Sequence, residues 1–170
     1  MEETRLFQVL HTLDPVYDAR SRVLLLGSMP SPKSRETGFY YGNPQNRFWR
    51  VLAAVLSADV PLSVAEKRAL CLNRGVALWD VLAACRIRGA ADASIREAKA
   101  NDIGWLLKKA PIAAVFTTGG AAQKFYQKLV LPQTGVEAIP LPSTSPANCR
   151  MSVDALTAAY RQILPHLLPL

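Results

Sequence analysis

Short apolar runs that alternate with amphipathic stretches constrain the fold of this chain more than any other feature of its sequence. We predict strands over 22–27, 76–79, 112–117 and 136–141. The first run is apolar from Val23 onward and ends in glycine, which is typical of a strand that is buried on both faces. Strands that alternate with helices predict an α/β fold, a three-layer α/β/α sandwich around a central four-stranded parallel sheet.

Apolar residues at helical spacing fill the segments between the predicted strands. Asn101-Asp102 and Ser152 are residue types that cap helix N-termini, and each precedes such a segment. The predicted helices are 5–13, 48–56, 64–74, 103–109, 122–129 and the segment after Ser152. The chain has 170 residues, the length of one domain, so we expect 1–170 to form a single domain.

Composition and charge limit the class of protein. Half of the residues are hydrophobic, which suffices for a core without disulfides or metals. No apolar run is long enough to span a bilayer, and the polar start over 1–5 is unlike a signal peptide, so we expect a cytoplasmic protein with no membrane partner. Lys and Arg number 20 against 13 Asp and Glu, and the resulting charge of +7 favours a polyanionic partner such as nucleic acid.

The few cysteines and histidines argue against metal and thiol chemistry. Cys71, Cys85 and Cys149 include no CxxC pair, so we expect no disulfide framework and no metal cluster. The two histidines, His11 and His166, lie near opposite ends of the chain, which disfavours a histidine base or a histidine-rich site. We therefore predict no metal and no organic cofactor.

Two loops at the carboxyl ends of predicted strands have the composition of a binding site. One extends from Gly27 to Asn46 and the other from Pro142 to Arg150, and both are rich in Ser and Pro. Open parallel sheets bind ligands beyond the carboxyl ends of their strands, so chemistry is expected in these loops.

These loops contain motifs that resemble a known family. The first has G-S-M-P at 27–30 and N-P-Q-N-R-F-W at 43–49, and the second has L-P-S-T-S-P-A-N at 141–148. Together they resemble the uracil-DNA glycosylase superfamily, above all its hypoxanthine-DNA (deoxyinosine) glycosylase group and its mismatch-specific glycosylases. The resemblance implies an enzyme that acts on the chromosome. It would flip a deaminated base, most simply hypoxanthine, out of DNA and hydrolyse its N-glycosidic bond.

The resemblance implies Asn46 as the catalytic residue. Met29 stands where many relatives carry an Asp or Asn that holds the attacking water, and methionine cannot make a strong hydrogen bond to water. Asn46 matches the catalytic asparagine of the deoxyinosine group, and its amide carbonyl can orient a water. Its place before a helix also suits an N-cap, and the two roles are compatible.

The resemblance also implies how the base and the DNA are held. Tyr41 matches the aromatic residue on which the flipped base stacks, with Tyr40 as the alternative. The backbone amides of Ser28 and Met29 would donate to a base carbonyl, and Thr118 stands where some relatives read the base with Asn. Leu141 replaces a histidine of many relatives. The expected DNA contacts lie in the second loop and are Ser143, Thr144, Ser145, Asn148 and Arg150.

The sequence alone leaves alternative substrates and alternative functions open. Uracil opposite guanine and xanthine are alternative substrates, and a catalytically weak relative that only binds DNA is an alternative function. A serine hydrolase is disfavoured, because Ser143 has no evident histidine partner. Hydrolysis without strand cleavage is expected because no lysine stands in either motif core. We also expect a monomer. Four cations near the first loop are candidates for phosphate contacts: Lys33, Arg35, Arg47 and Arg50.

Overall fold

The structure is a computed structural model and describes residues 5–169. Residues 1–4 and Leu170 lie outside the described range, and with them most of the polar start that is unlike a signal peptide. Its strands are β1 (Phe7–Leu10), β2 (Val23–Gly27), β3 (Val76–Asp80), β4 (Leu82–Ile87), β5 (Arg96–Ala100), β6 (Ala114–Thr118) and β7 (Ala138–Leu141). Its helices are α1 (Pro32–Thr37), α2 (Phe48–Val55), α3 (Val64–Arg74), α4 (Ile103–Lys109), α5 (Gly120–Phe125), α6 (Leu131–Thr134) and α7 (Val153–Tyr160). Short 3₁₀ turns cover Asp92–Ser94 and Arg161–His166, and a π turn covers Tyr126–Val130.

A four-stranded parallel sheet in the order β3-β2-β6-β7 forms the centre of the fold. Alternate side chains of β2 enter two different core clusters, with Leu25 on one face and Leu24 on the other. Helices α2 and α7 cover the first face, while α4 and α5 cover the second. Burying each such leucine stabilises the fold by about 1.5–3 kcal/mol, which accounts for the apolar composition of this strand. The predicted three-layer α/β/α sandwich is therefore confirmed.

The register of the sheet brings four strand ends to one edge. Gly27 pairs with Asp80 across β2 and β3, and Thr118 pairs with Leu141 across β6 and β7. Because parallel strands share one direction, the loops that follow these residues leave the sheet on the same side. Both motif-bearing loops begin at this edge.

The remaining strands form a second sheet that the sequence analysis did not predict. Strands β1, β4 and β5 are antiparallel, with β4 in the middle, and Phe7 pairs with Ile87. The predicted helix over 5–13 is wrong, because this segment instead pairs its backbone with β4. The amide of His11 continues the pairing by donating to the Ala83 carbonyl at 2.7 Å. Long-range pairing here overrides a weak local helical pattern.

Most local predictions agree with the structure at their centres. The helix over 64–74 has the predicted bounds, and the side chains of Asp102 and Ser152 cap α4 and α7 as expected. The last two strands begin two residues later than predicted, at Ala114 and Ala138, because the preceding residues are still in loops. Within the described range, no helix has the length and apolarity needed to cross a membrane.

Candidate active site

A pocket opens at the carboxyl edge of the parallel sheet. Its wall combines the ends of β2, β3 and β6 with both motif-bearing loops and the hairpin between β4 and β5. Eight of the ten predicted site residues line it: Ser28, Met29, Tyr41, Asn46, Thr118, Ser143, Thr144 and Ser145. Asn148 and Arg150 lie in the second loop but not in the pocket wall.

Asn46 is held by hydrogen bonds to its amide carbonyl. Its Oδ1 accepts from the backbone N–H of Phe48 at 2.9 Å and from the Thr144 hydroxyl at 2.8 Å. The first bond satisfies an otherwise unpaired donor at the start of α2, so the predicted capping role is present in a modified form. A carbonyl oxygen has two lone pairs, and both are used. The amide nitrogen is therefore the group that Asn46 can offer to a ligand.

Tyr41 lies against the core on one face. Its ring stacks on Phe48, with 3.8 Å between centroids and 11° between planes, and the residue lines the pocket. Its backbone has φ of 53°, a left-handed conformation that non-glycine residues adopt at a cost of about 1–2 kcal/mol. Burial, and then the negative charge of Asp80, raise the pKa of Tyr41 well above its ordinary value, so the phenol stays protonated.

Thr118 supports the Tyr41 ring. Its hydroxyl lies 3.2 Å from the Tyr41 hydroxyl and donates to the Leu26 carbonyl at 3.3 Å. With its single proton on Leu26, Thr118 accepts the Tyr41 proton. The alternative stacking residue, Tyr40, also lines the pocket, but it is 3% exposed, packs in the core and donates to the Asp14 carbonyl.

A buried histidine and aspartate pair lies beside the pocket, with Asp80 in the pocket lining, and the sequence analysis missed it. His11 Nε2 is 2.8 Å from Asp80 Oδ2, and the two side chains are 2% and 6% exposed. A Cβ atom on Gly27 would come within 2.5 Å of Asp80 Oδ1, so only glycine fits beside this carboxylate. Asp80 could have been found from the sequence, because it is the polar residue at the end of a strand and lies at the same edge as Gly27. His11 could not, because its segment was assigned to a helix.

The hairpin between β4 and β5 provides the other missed wall. Gly89, Ala90 and Asp92 line the pocket, and the Ser28 hydroxyl donates to Asp92 Oδ1 at 3.0 Å. The side chain of Ser28 is thereby fixed by a neighbour 64 residues away. Met29 is 9% exposed and packs into the core on the β4 side of the parallel sheet.

Arg47 clamps the second loop to the first. Its guanidinium donates to the carbonyls of Ser145 at 2.9 Å, Asn148 at 2.8 Å and Met151. Arg47 was a candidate for a phosphate contact, but four of its five N–H donors are used inside the protein. Asn148 has a similar internal bond, as its amide donates to the Ser143 carbonyl at 2.9 Å.

The other candidate cations lie on the surface. Arg50 and Arg150 are exposed. Lys33 lies 3.7 Å from Glu36 in an exposed ion pair, and Arg35 donates to the Pro30 carbonyl. Within residues 5–169 no group of three or more His, Cys, Asp or Glu side chains is placed to hold a metal ion.

Comparisons with known proteins indicate one family. The model of the uracil DNA glycosylase superfamily matches residues 15–167. A hypoxanthine DNA glycosylase from Methanosarcina acetivorans is 34% identical over 138 residues, which cover 81% of this chain and 87% of that protein. A hypoxanthine DNA glycosylase from Methanosarcina barkeri is 33% identical over 137 residues, which cover 80% and 86% of the two chains.

A solved structure has the same fold. The solution NMR structure of a candidate uracil DNA glycosylase from Methanosarcina acetivorans superimposes with a TM-score of 0.77 at 29% identity. The match covers 93% of this chain and 99% of that one. The chain therefore belongs to the uracil DNA glycosylase superfamily.

Proposed function

We propose that this protein is a monofunctional DNA glycosylase that removes hypoxanthine from deoxyinosine in DNA and leaves an abasic site. The observation that carries the proposal is the tethered Asn46 amide, which faces the same pocket as Tyr41 and Asp80. The names of the two Methanosarcina relatives support hypoxanthine as the base.

The base would be held by one ring and one carboxylate oxygen. Hypoxanthine stacks on the outer face of Tyr41, since the inner face lies against Phe48. Asp80 Oδ1 accepts the N–H that hypoxanthine carries at ring position 1, where adenine has a lone pair. Uracil has an N–H in the corresponding place. This contact therefore favours hypoxanthine and uracil over adenine and cytosine, the normal bases from which they arise.

Asn46 would act on the charge that develops as the bond breaks. Glycoside cleavage passes through an oxocarbenium-like sugar, and negative charge accumulates on the departing base. Because the Asn46 carbonyl is occupied, its amide nitrogen donates to that base and stabilises the transition state. An oxocarbenium ion is electrophilic enough to be captured by a water that is not strongly activated. In this proposal Asn46 stabilises the departing base through its amide nitrogen. It does not orient the attacking water through its carbonyl, the role given to it in the sequence analysis.

The remaining predicted residues have supporting roles in this proposal. Ser28 and Met29 present backbone amides to the base, and Thr118 holds Tyr41. Thr144 holds Asn46, while Ser143, Ser145, Asn148 and Arg150 shape or flank the loop that enters the DNA groove. The proposal needs no residue from a second copy of the chain, and we propose a monomer that acts as a single domain in the cytoplasm, beside the chromosome.

The test is base release from matched duplexes that contain one hypoxanthine or one uracil. We expect the wild-type protein to release hypoxanthine without cutting the strand, and Asn46→Ala to be slower by ~100-fold or more. Asn43→Ala is the matched control, because Asn43 lies in the same loop and its side chain accepts from the Gln45 amide at 3.0 Å. Faster release of uracil would favour the alternative substrate. If the wild-type protein binds the duplex and releases neither base, it is a DNA-binding relative and the proposal fails.

A further inference from the structure

The hydrogen bond between His11 and Asp80 joins the two sheets of the molecule at the pocket. His11 directly follows β1 of the antiparallel sheet, and Asp80 is the last residue of β3 in the parallel sheet. Their side chains are nearly inaccessible, at 2% and 6% exposure. A carboxylate is costly to bury without a hydrogen-bond partner. The bond from His11 therefore affects how Asp80 is held and how it can contact a ligand.

The two oxygens of the Asp80 carboxylate have different surroundings. Oδ2 receives the bond from His11 Nε2 at 2.8 Å. Oδ1 faces the Cα of Gly27, where the missing Cβ leaves room, and no described residue donates to it. The bond from His11 therefore fixes the rotation of the carboxylate so that the second oxygen stays on the pocket side.

The other described groups around Asp80 do not supply a hydrogen-bond donor to its carboxylate. Tyr40 and Tyr41 face it from the first loop, and burial raises the pKa of both phenols above the ordinary value. Their hydroxyl protons are directed to Asp14 and Thr118. Asp92 faces it from the hairpin and adds negative charge. His11 is the hydrogen-bond donor on which this carboxylate depends within the described part of the chain.

We infer that His11 is a positioning residue for base excision, which acts by holding Asp80 so that Oδ1 accepts the ring N–H of the flipped base. The inference rests on the proposed function and extends the active site into the antiparallel sheet. His11 itself does not contact the base. Its neutral form suffices, because an Nε2–H donor to Oδ2 is all that the geometry requires.

Two amide substitutions separate this role from simple packing. Glutamine can place its Nε2 donor near the position of the histidine Nε2, whereas asparagine is one methylene shorter and cannot reach Asp80 in the same way. In single-turnover release of hypoxanthine at saturating enzyme, we expect His11→Gln to stay within ~5-fold of the wild-type rate and His11→Asn to fall ~10–100-fold. His166→Phe is the control for loss of a histidine far from the pocket, and we expect it to keep the wild-type rate.

A double-mutant cycle tests whether His11 acts through Asp80. In an Asp80→Ala background we expect His11→Asn to change the rate by less than about 2-fold, because there is no carboxylate left to position. Asp80→Ala also removes the carboxylate that His11→Asn would leave buried and unpaired. The double variant can therefore fold and be measured even where the His11→Asn single variant does not fold. Melting temperatures are recorded for every variant.

The outcomes are distinguishable from failure of the proposed function. If the wild-type protein releases no hypoxanthine, the proposed function fails. If it does, and His11→Gln is as slow as His11→Asn, or His11→Asn slows Asp80→Ala as much as it slows the wild type, only the positioning role is overturned.

Discussion

The two sheets of this protein contribute differently to one pocket. The parallel sheet is buried on both faces at its centre, where every residue of β2 is buried. The antiparallel sheet is thin and partly open, with Phe7 and Leu10 more than half exposed at its edge strand. The first sheet positions the loops through its backbone register, whereas the second adds polar side chains, with Asp92 in the pocket lining and His11 bonded to Asp80 behind it. Rigidity and polarity at this site thus come from different parts of the fold.

This division has a physical basis. A fully buried sheet tolerates few polar side chains, because each one needs a partner to compensate for lost hydration. The parallel sheet places Asp80 only at its last residue, where β3 reaches the pocket. The partner that makes this carboxylate tolerable comes from the other sheet. The comparison predicts that substitutions in the first sheet act on stability or on the whole site, and that those in the second act more selectively.

The largest effect is expected from truncation of the buried sheet. Leu24 is fully inaccessible, and Leu24→Ala should lower the free energy of unfolding by ~2–5 kcal/mol through lost burial and a residual cavity. Leu10→Ala is the matched control in the antiparallel sheet, since Leu10 is 59% exposed, and its effect should stay within about 0.5 kcal/mol. Urea unfolding followed by circular dichroism measures both. Similar losses for the two variants would contradict the contrast between the sheets.

The next effect concerns the point where the sheets meet. Gly27→Ala would place a Cβ 2.5 Å from Asp80 Oδ1, so the carboxylate must move. We expect hypoxanthine release to slow by ~10–100-fold and stability to fall by ~1–3 kcal/mol. In Gly120→Ala the new Cβ meets no atom within 4 Å at the start of α5, and this control should keep the wild-type rate. A Gly27→Ala variant with unchanged hypoxanthine release would show that the Asp80 position is unimportant.

The sequence predicts the parallel sheet well and the antiparallel sheet poorly. Each parallel strand is an apolar run with its own local signal, so four strands and their order of appearance follow from the pattern. Asn46, Tyr41 and the second loop were found because motifs mark them, although their roles stay predictions. The arrangement of Arg47 was not predictable, because a cation that donates to carbonyls about 100 residues away has the same local sequence as a surface cation.

The antiparallel sheet was missed for a related reason. Its strand β1 has four residues, and its stability depends on pairing with β4, about 80 positions further along the chain. Nothing within residues 5–13 encodes that partner. The contact between His11 and Asp80 spans 69 positions and follows only once this pairing is known. Polar side chains that complete a site from a second element are the part that local patterns do not reveal.

The smallest effect should come from Asp92, and it depends on pH. Although Asp92 as a residue is exposed, its carboxyl lies against the pocket wall. Burial there raises the pKa of Asp92, repulsion by Asp80 adds to the rise, and the Ser28 hydrogen bond opposes it. A carboxyl whose pKa is higher in the folded than in the unfolded state destabilises the fold when it is ionised. This penalty is present at neutral pH. It disappears as the pH falls below the pKa that the Asp92 carboxyl has in the unfolded chain.

Asp92→Asn isolates this penalty, because the amide is neutral at every pH and its oxygen can still accept from Ser28. We expect its melting temperature to exceed that of the wild type slightly at pH 7.5, by no more than about 2 °C, and the difference to shrink toward pH 4. Asp59→Asn, in an exposed loop, is the control for removing one negative charge from the surface. A lower melting temperature for Asp92→Asn at pH 7.5 that persists at pH 4 would mean that the hairpin depends on the carboxylate itself. In that case the antiparallel sheet would contribute to the stability of the pocket as well as to its polarity.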